Sequence, residues 1–167
     1  MIKVQVWTDG SSDWNTGEGG WASLITIPTD VSLMTKLTCG YAAETTNNAM
    51  EAYALYGALV ALTKPCVVDF VTDSQYVVYG VRRILNKRPL LETNTTVWEL
   101  IKEAMEDGGH VIGTSKVKGH MGEPLNEIAD RLAVYARKEK REFSMVYEDF
   151  DQPAIREFMG HIRAGSL

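Results

Sequence analysis

The sequence predicts an α/β domain with a mixed five-stranded sheet, in which three antiparallel strands are followed by parallel ones and helices flank the sheet. Three strand-like segments open the chain at residues 2–8, 20–28 and 31–41. Helix-like and strand-like segments then alternate, an order typical of sheets covered by helices. With 167 residues, 45% of them hydrophobic, the chain can bury the core of one domain and little more.

The first three strands are joined by short connections, and Pro28, Thr29 and Asp30 mark the turn before the third. Residues 47–64 lack proline and predict a buried helix. Its inward stripe consists of Glu51, Leu55, Ala58, Leu59 and Leu62. Residues 66–72 (CVVDFVT) form a nearly continuous apolar run, which is typical of a central strand covered on both faces.

The second half of the chain predicts three more helices and one strand. Ser74 is positioned to cap a helix that runs to about Leu85. The remaining elements are expected at about Thr95 to Glu106 (helix), 111–117 (strand) and Pro124 to about Arg141 (helix).

The chain changes character after Arg141. We therefore divide it into a domain over residues 1–141 and a C-terminal extension over residues 142–167, whose role the sequence does not reveal. Asp151 to Arg163 predicts one short amphipathic helix in this extension.

The charge balance argues against binding nucleic acid by bulk electrostatics, since the formal net charge is −5. Two local basic clusters stand out, and each could be a binding patch or only the solvated face of a helix; for the second we favour the solvated face. The clusters are Arg82, Arg83, Lys87 and Arg88, and then Arg137, Lys138, Lys140 and Arg141.

The chain lacks the pattern of a secretory signal or membrane anchor, so no membrane partner is expected. Cys39 and Cys66 lack the spacing of a metal site and suit reduced core thiols. We expect a cytoplasmic protein that acts as a monomer.

Four acidic residues lie where a strand ends or a helix turns inward, namely Asp9, Glu51, Asp73 and Asp130. Taken singly, each could be a helix cap or a surface charge. If folding gathers them, they repel one another and are costly to bury unless they bind cations. Ligands that are all oxygen suit Mg²⁺ or Mn²⁺, so the sequence predicts a divalent-metal site.

Five segments surround these acids, in this order: TDGS at 8–11, GG at 19–20, TTNNAMEA at 45–52, TDSQYV at 72–77, and VKGH followed by N-E-x-x-D within 117–130. On these segments the chain closely resembles ribonuclease H of type 1. The resemblance spans residues 1 to about 140 and includes the order of elements, so it implies a ribonuclease H-like fold.

The resemblance implies an endonuclease that hydrolyses the RNA strand of RNA–DNA hybrids, with two Mg²⁺ ions bound by Asp9, Glu51, Asp73 and Asp130. Mn²⁺ is a possible substitute. It also implies that His120, in the segment KGHMG, assists proton transfer or product release. Glu123, in the same loop, could swing toward a metal.

The same resemblance implies a hybrid-binding surface. RNA 2′-hydroxyls in the minor groove would be contacted by Gly10, Ser11, Asn15, Asn47, Asn48 and Gln75. Thr46 and Asn94 match positions that hold a phosphate of the DNA strand. Either Asn47 or Asn48 is also expected to cap its helix.

Two departures from the family pattern bear on substrate binding. The stretch between Gly80 and Trp98 is short where many members carry a longer basic helix and loop. Trp14 stands where small or neutral residues are usual, and it could stack on a sugar or cover the edge of the core. Two other functions remain open, a DNA-cutting relative on the same fold and a catalytically silent module that binds hybrids or a protein partner.

Overall fold

The computed structural model describes residues 1–116 and 124–167, and these form six strands and five helices. The strands are β1 (Ile2–Ser12), β2 (Gly19–Pro28), β3 (Leu33–Ala42), β4 (Cys66–Thr72), β5 (Val111–Lys116) and β6 (Phe143–Tyr147). The helices are α1 (Asn47–Ala61), α2 (Gln75–Leu85), α3 (Thr95–Gly108), α4 (Pro124–Glu139) and α5 (Gln152–Ala164).

All the strands belong to one mixed sheet in the order β5-β4-β1-β2-β3-β6. The pairs β1–β2, β2–β3 and β3–β6 are antiparallel, whereas β1–β4 and β4–β5 are parallel. The predicted ribonuclease H-like arrangement is confirmed, but the predicted strand number is wrong. The sixth strand comes from the C-terminal extension and pairs with the free edge of β3.

Two hydrophobic clusters, one on each face, hold the sheet between helices. On one face Leu55 of α1, Phe70 of β4 and Trp98 of α3 are fully buried together. On the other face Leu132 of α4 and Phe158 of α5 pack in the second cluster. The molecule is therefore a three-layer sandwich.

The parallel pairing of β1 with β4 sets the position of two predicted site residues. Trp7 lies opposite Val71 in this register. Asp9 and Asp73 each follow two residues later, so they lie side by side near the carboxyl end of this strand pair. Asp73 directly follows β4, but the expectation that Asp9 ends its strand is wrong, because β1 continues to Ser12 and Asp9 pairs with Ala22 of β2. Ligand sites in α/β sheets form at the carboxyl ends of the strands.

Two helix caps were predicted, and one is correct. Ser74 caps α2, because its side chain accepts a hydrogen bond from the backbone N–H of Val77. The expectation that Asn47 or Asn48 caps α1 is wrong, since Thr46 accepts the hydrogen bond from the N–H of Ala49. Both asparagines are exposed residues of the first helical turn.

Within residues 1–116 and 124–167, no helix combines the length and apolar character that a membrane crossing requires. The extension is packed onto the rest of the fold, with β6 in the sheet and α5 against α4. The division at residue 141 stays a prediction.

Candidate metal centre

Asp9, Glu51 and Asp73 come together in one cluster. Each offers a carboxylate oxygen, and these oxygens all lie within 4.8 Å of one another. Asp9 comes from within β1 and Asp73 from the residue after the neighbouring β4, whereas Glu51 comes from α1, which packs on β1 and β2. Groups that are 22 to 64 residues apart in the sequence thus converge at one sheet edge.

Gly10 is what allows α1 to come so close to β1. A Cβ atom at this position would lie 2.5 Å from the backbone nitrogen of Glu51 and 2.7 Å from the carbonyl carbon of Met50. Any larger residue would push the helix, and Glu51 with it, away from the strand. The N–H of Gly10 also donates a 2.8 Å hydrogen bond to Oδ1 of Asp9.

The cluster is buried enough to make its negative charge costly. Asp9 is 7% exposed and Glu51 is 5% exposed. Burial, reinforced by the charge of Asp73 and opposed by a hydrogen bond with Glu51, raises the pKa of Asp9 from 3.8 to about 7. Burial, then the charge of the neighbouring Asp9, raises the pKa of Glu51 from 4.5 to about 10. Without a cation, the pair holds protons at neutral pH.

Asp130 of α4 borders the same site. It is half-buried, it contributes to the raised pKa of Asp9, and it lines a polar pocket of about 380 Å³ together with the three clustered acids. Its oxygens are outside the group that lies within 4.8 Å. Asp130 therefore forms one wall of the pocket, beside the cluster.

Four of the predicted substrate contacts line this pocket as well, namely Gly10, Asn47, Asn48 and Gln75. The other two predicted minor-groove residues, Ser11 and Asn15, lie outside it. Ser11 Oγ accepts a 3.0 Å hydrogen bond from Nε of Arg137. The backbone N–H of Asn15 donates to Oδ1 of Asp13 within the β1–β2 loop.

A second pocket, of about 480 Å³, adjoins the first. It is lined by Thr46, Asn47, Asn48, Thr93 and Asn94. The two residues predicted to hold a phosphate, Thr46 and Asn94, therefore lie in one pocket despite their separation in the sequence. The two pockets share Asn47 and Asn48.

Two residues of this region escaped the sequence analysis as site residues. The hydroxyl of Tyr76 accepts hydrogen bonds of 3.0 Å from Nδ2 of Asn94 and from Nε1 of Trp98. Arg137 lies seven residues after Asp130, and this spacing of two helical turns places both on one face of α4. The signals existed: Tyr76 falls within TDSQYV, and Arg137 follows the periodicity of α4.

His120, predicted to assist proton transfer or product release, and Glu123, predicted as a residue that could reach a metal, lie outside the described residues. Neither of the other two histidines lines the acidic pocket. His110 accepts a 3.1 Å hydrogen bond at Nδ1 from the N–H of Cys66, and His161 lies 3.7 Å from Glu157.

Comparison with known proteins adds a family and a fold. The family model described as RNase H matches residues 2–138. Among curated proteins, the Ribonuclease H of Rhizobium etli is 38% identical over 144 residues, covering 80% of this chain and 90% of the relative. That of Granulibacter bethesdensis is 39% identical over 146 residues, with coverages of 81% and 93%.

Two solved structures share the fold at lower identity. LC9-RNase H1, described as a type 1 RNase H with the type 2 active-site motif, superposes with a TM-score of 0.78 at 22% identity, covering 100% of this chain and 86% of that one. The N-terminal RNase H domain of a Mycobacterium tuberculosis protein gives a TM-score of 0.65 at 20% identity, with coverages of 83% and 96%.

Proposed function

Because this chain belongs to the ribonuclease H family, we propose that Asp9, Glu51, Asp73 and Asp130 form the site at which it cuts its substrate. The family membership makes the chain a hydrolase and an endonuclease of RNA–DNA hybrids. The assignment of residues rests on one observation above all. Three acids from separate elements offer oxygens within 4.8 Å of one another in a polar pocket.

The proposed cofactor is a pair of Mg²⁺ ions, with Mn²⁺ as a substitute. The residues fit such ions, because the site supplies oxygen ligands and Oε2 of Glu51 is buried without a hydrogen-bond partner in the described part of the chain. When bound, divalent ions activate the attacking water and stabilise the leaving 3′ oxygen. Bound cations would balance the negative charge of the carboxylates. Without cations, the raised pKa values of Asp9 and Glu51 mean that the site takes up protons instead.

The residues around the pocket account for the choice of a hybrid. Asn47, Asn48 and Gln75 place small polar groups around the acids, where they contact 2′-hydroxyls next to the scissile bond. Thr46 and Asn94 in the adjoining pocket contact a phosphate of the DNA strand. His120 is proposed to assist proton transfer or product release.

The proposed acting unit is a monomer in the cytoplasm. Its support is that Asp9, Glu51, Asp73 and Asp130 of the same chain line one pocket, so the proposed site does not require a residue from a second copy. Cys39 and Cys66 are free and buried, as thiols are in a reducing compartment.

The test is to incubate labelled RNA–DNA hybrid, RNA duplex and DNA duplex with the protein and Mg²⁺. We expect only the RNA strand of the hybrid to be cut, and Asp73→Asn to reduce the rate to background. Asp69→Asn is the matched control, since Asp69 lies on β4 four residues before Asp73 but accepts a 2.8 Å hydrogen bond from Ser115 Oγ and does not line the pocket.

Each other outcome has a distinct meaning. Cleavage of the DNA duplex would indicate a DNA-cutting relative, and a hybrid that binds but is not cut would indicate a silent module. Substantial activity in Asp73→Asn would contradict the site assignment while leaving the family membership intact.

A further inference from the structure

Trp14 is an exposed aromatic residue in the loop between β1 and β2. Its exposed fraction is 89%, so the expectation that it covers the edge of the core is wrong. It directly precedes Asn15 and follows Ser11 by three residues, and the family resemblance implies that both contact the minor groove. An indole left in water exposes a large apolar surface that a partner could bury.

Backbone hydrogen bonds fix the loop that carries Trp14. The N–H of Asp13 donates to the carbonyl of Glu18 at 2.8 Å, and the N–H of Gly17 donates to the carbonyl of Asp13 at 2.7 Å. The N–H of Thr45 then donates to the carbonyl of Gly17 at 2.8 Å. The loop is thus tied to the residue before the Thr46 cap, so fixing Trp14 on binding costs little additional entropy.

The acidic residues of this loop are paired, so their charge is offset where a polyanion would approach. Asp13 lies 3.8 Å from Arg137, and Glu18 lies 3.6 Å from Lys140. Both cations come from α4 or the residue just after it, and Arg137 also bonds Ser11. The loop therefore presents its aromatic ring without a net negative charge.

We propose that Trp14 is a substrate-binding residue whose indole packs against the sugars of the bound hybrid along the minor groove, beyond the acidic pocket. The contact extends the surface of Ser11 and Asn15 and requires no particular base, because every nucleotide carries a sugar. It rests on the hybrid-binding surface proposed above. The ring supplies apolar area in a region whose other proposed contacts are small and polar, and a rigid Trp is a frequent centre of binding energy.

The first test is the steady-state kinetics of Trp14→Ala on a long hybrid. We expect KM to rise about 10-fold, the size of effect typical of removing a well-packed interface Trp, while kcat changes less than about 3-fold. The KM of Trp14→Phe should lie between that of wild type and that of Trp14→Ala. Val31→Ala is the matched control, because Val31 is 91% exposed in the β2–β3 turn at the other end of the sheet.

The second test asks where on the duplex the contact lies. Hybrids with one cleavage site are shortened stepwise from either end, and the KM ratio of Trp14→Ala to wild type is measured for each. The ratio should fall to one when the duplex no longer reaches the loop, and it should do so for shortening from one end only. A purely structural effect of the substitution would not depend on duplex length.

The results separate this inference from the proposed site. If wild type cuts the hybrid, Asp73→Asn does not, and Trp14→Ala has an unchanged KM, then only the role of Trp14 is overturned. A KM that rises equally for all duplex lengths also overturns it. If Asp73→Asn keeps its activity, the site itself is wrong.

Discussion

At the scale of single residues, Asp9 and Glu51 at the centre of the pocket lower the stability of the metal-free protein. Asp9 and Glu51 are both nearly buried, and Glu51 leaves one carboxylate oxygen without a partner among the described residues. Either the pair keeps protons that the unfolded chain would have lost, or it is charged and repels itself. Both states cost folding free energy that bound cations would offset.

The pH dependence of stability follows from the raised pKa values. In EDTA, Asp9 and Glu51 hold protons in the folded state up to about pH 7 and about pH 10, whereas the unfolded chain releases them near 3.8 and 4.5. The folded state therefore binds more protons across this window, and stability is lost as the pH rises. We expect the free energy of unfolding, from urea titrations, to be lower at pH 8 than at pH 5.5 by on the order of 5 kcal/mol, to which both Asp9 and Glu51 contribute.

Asp9→Asn provides the control for this prediction, because it removes one of the two titrating groups. Its unfolding free energy in EDTA should depend less on pH and should exceed that of wild type at pH 8. Saturating Mg²⁺ should raise the unfolding free energy of wild type at pH 8, and it should raise that of Asp9→Asn less. Equal stability of wild type at both pH values would contradict the assigned pKa shifts.

Most acidic residues of the pocket could be predicted from the sequence, because their neighbours in the chain mark them. Asp9 follows the apolar first part of β1, Asp73 directly follows β4, and Glu51 lies on an apolar helical stripe, so each acid is marked by its own neighbours. Tyr76 and Arg137 act through other residues instead. The segment TDSQYV and the periodicity of α4 mark the two residues, but their hydrogen bonds to Asn94 and Ser11 exist only because distant elements pack together, which no local pattern records.

At the scale of secondary-structure elements, Tyr76 links α2 to the loop and helix that follow. Its hydroxyl lies 3.0 Å from Nε1 of Trp98 and from Nδ2 of Asn94, and it donates to the carbonyl of Thr93 at 3.2 Å. Asn94 adopts a left-handed conformation, with φ of 53°, that non-glycine residues seldom take. The Tyr76 hydroxyl thus holds the side chain that is proposed to bind a DNA phosphate.

Tyr76→Phe should separate binding from chemistry. The ring keeps its packing while Asn94 loses its partner, so we expect KM for hybrid to rise roughly 3-fold to 10-fold with kcat little changed, as for the loss of one or two hydrogen bonds. Tyr56→Phe on α1 is the control, because its ring packs against the same core cluster. An effect of Tyr76→Phe that persists fully in an Asn94→Ala background would contradict this coupling.

The elements themselves were predicted to within four residues, with one exception. Strand β6 was missed because Phe143, Met145 and Tyr147 alternate over only five residues, which is too short for a distinct pattern. Its existence depends on the open edge of β3, a tertiary feature. The cap of α1 was misplaced by one residue for a similar reason, since Thr46, Asn47 and Asn48 are all good caps by type.

At the scale of the whole molecule, the extension completes the second core. Phe150 and Phe158 are almost fully buried, and each packs its ring against Tyr147 of β6, at centroid distances of 4.9 and 6.2 Å. The C-terminal end is held as well, because the hydroxyl of Tyr135 donates a 3.2 Å hydrogen bond to the carbonyl of Leu167. The extension thus contributes buried area to the face that α4 covers.

Phe158→Ala tests this contribution. Removing a fully buried ring should lower the free energy of unfolding by about 3–5 kcal/mol, measured by urea titration. Unfolding should stay a single transition, since the ring belongs to the cluster that also holds Leu24 and Leu132. Val146→Ala on β6 is the control, because Val146 is 59% exposed and its loss should cost less than about 1 kcal/mol. A small effect of Phe158→Ala would show that α5 does not stabilise the core.

Because the net charge of the molecule is −5, phosphate binding must depend on a few cationic side chains. In the first basic cluster, Arg83 is committed within the protein, with Nε donating to the carbonyl of Pro89 at 2.6 Å. Lys87 and Arg88 are exposed and line one pocket with Lys102. Substituting these two residues is therefore the most direct test of whether the cluster binds the hybrid.

Replacing Lys87 and Arg88 with Glu should raise KM for hybrid at least about 10-fold at low salt and leave kcat within a few-fold, because the lost contacts are to phosphates and not to the reacting bond. The slope of log K against log salt should flatten by roughly one to two units, about one for each lost phosphate contact. Lys3 and Lys64 are also exposed and lie outside the pocket that Lys87 and Arg88 line, so their replacement by Glu changes the net charge equally without altering that pocket. If both double variants shift the salt slope alike, only net charge matters and the cluster is a solvated helix end.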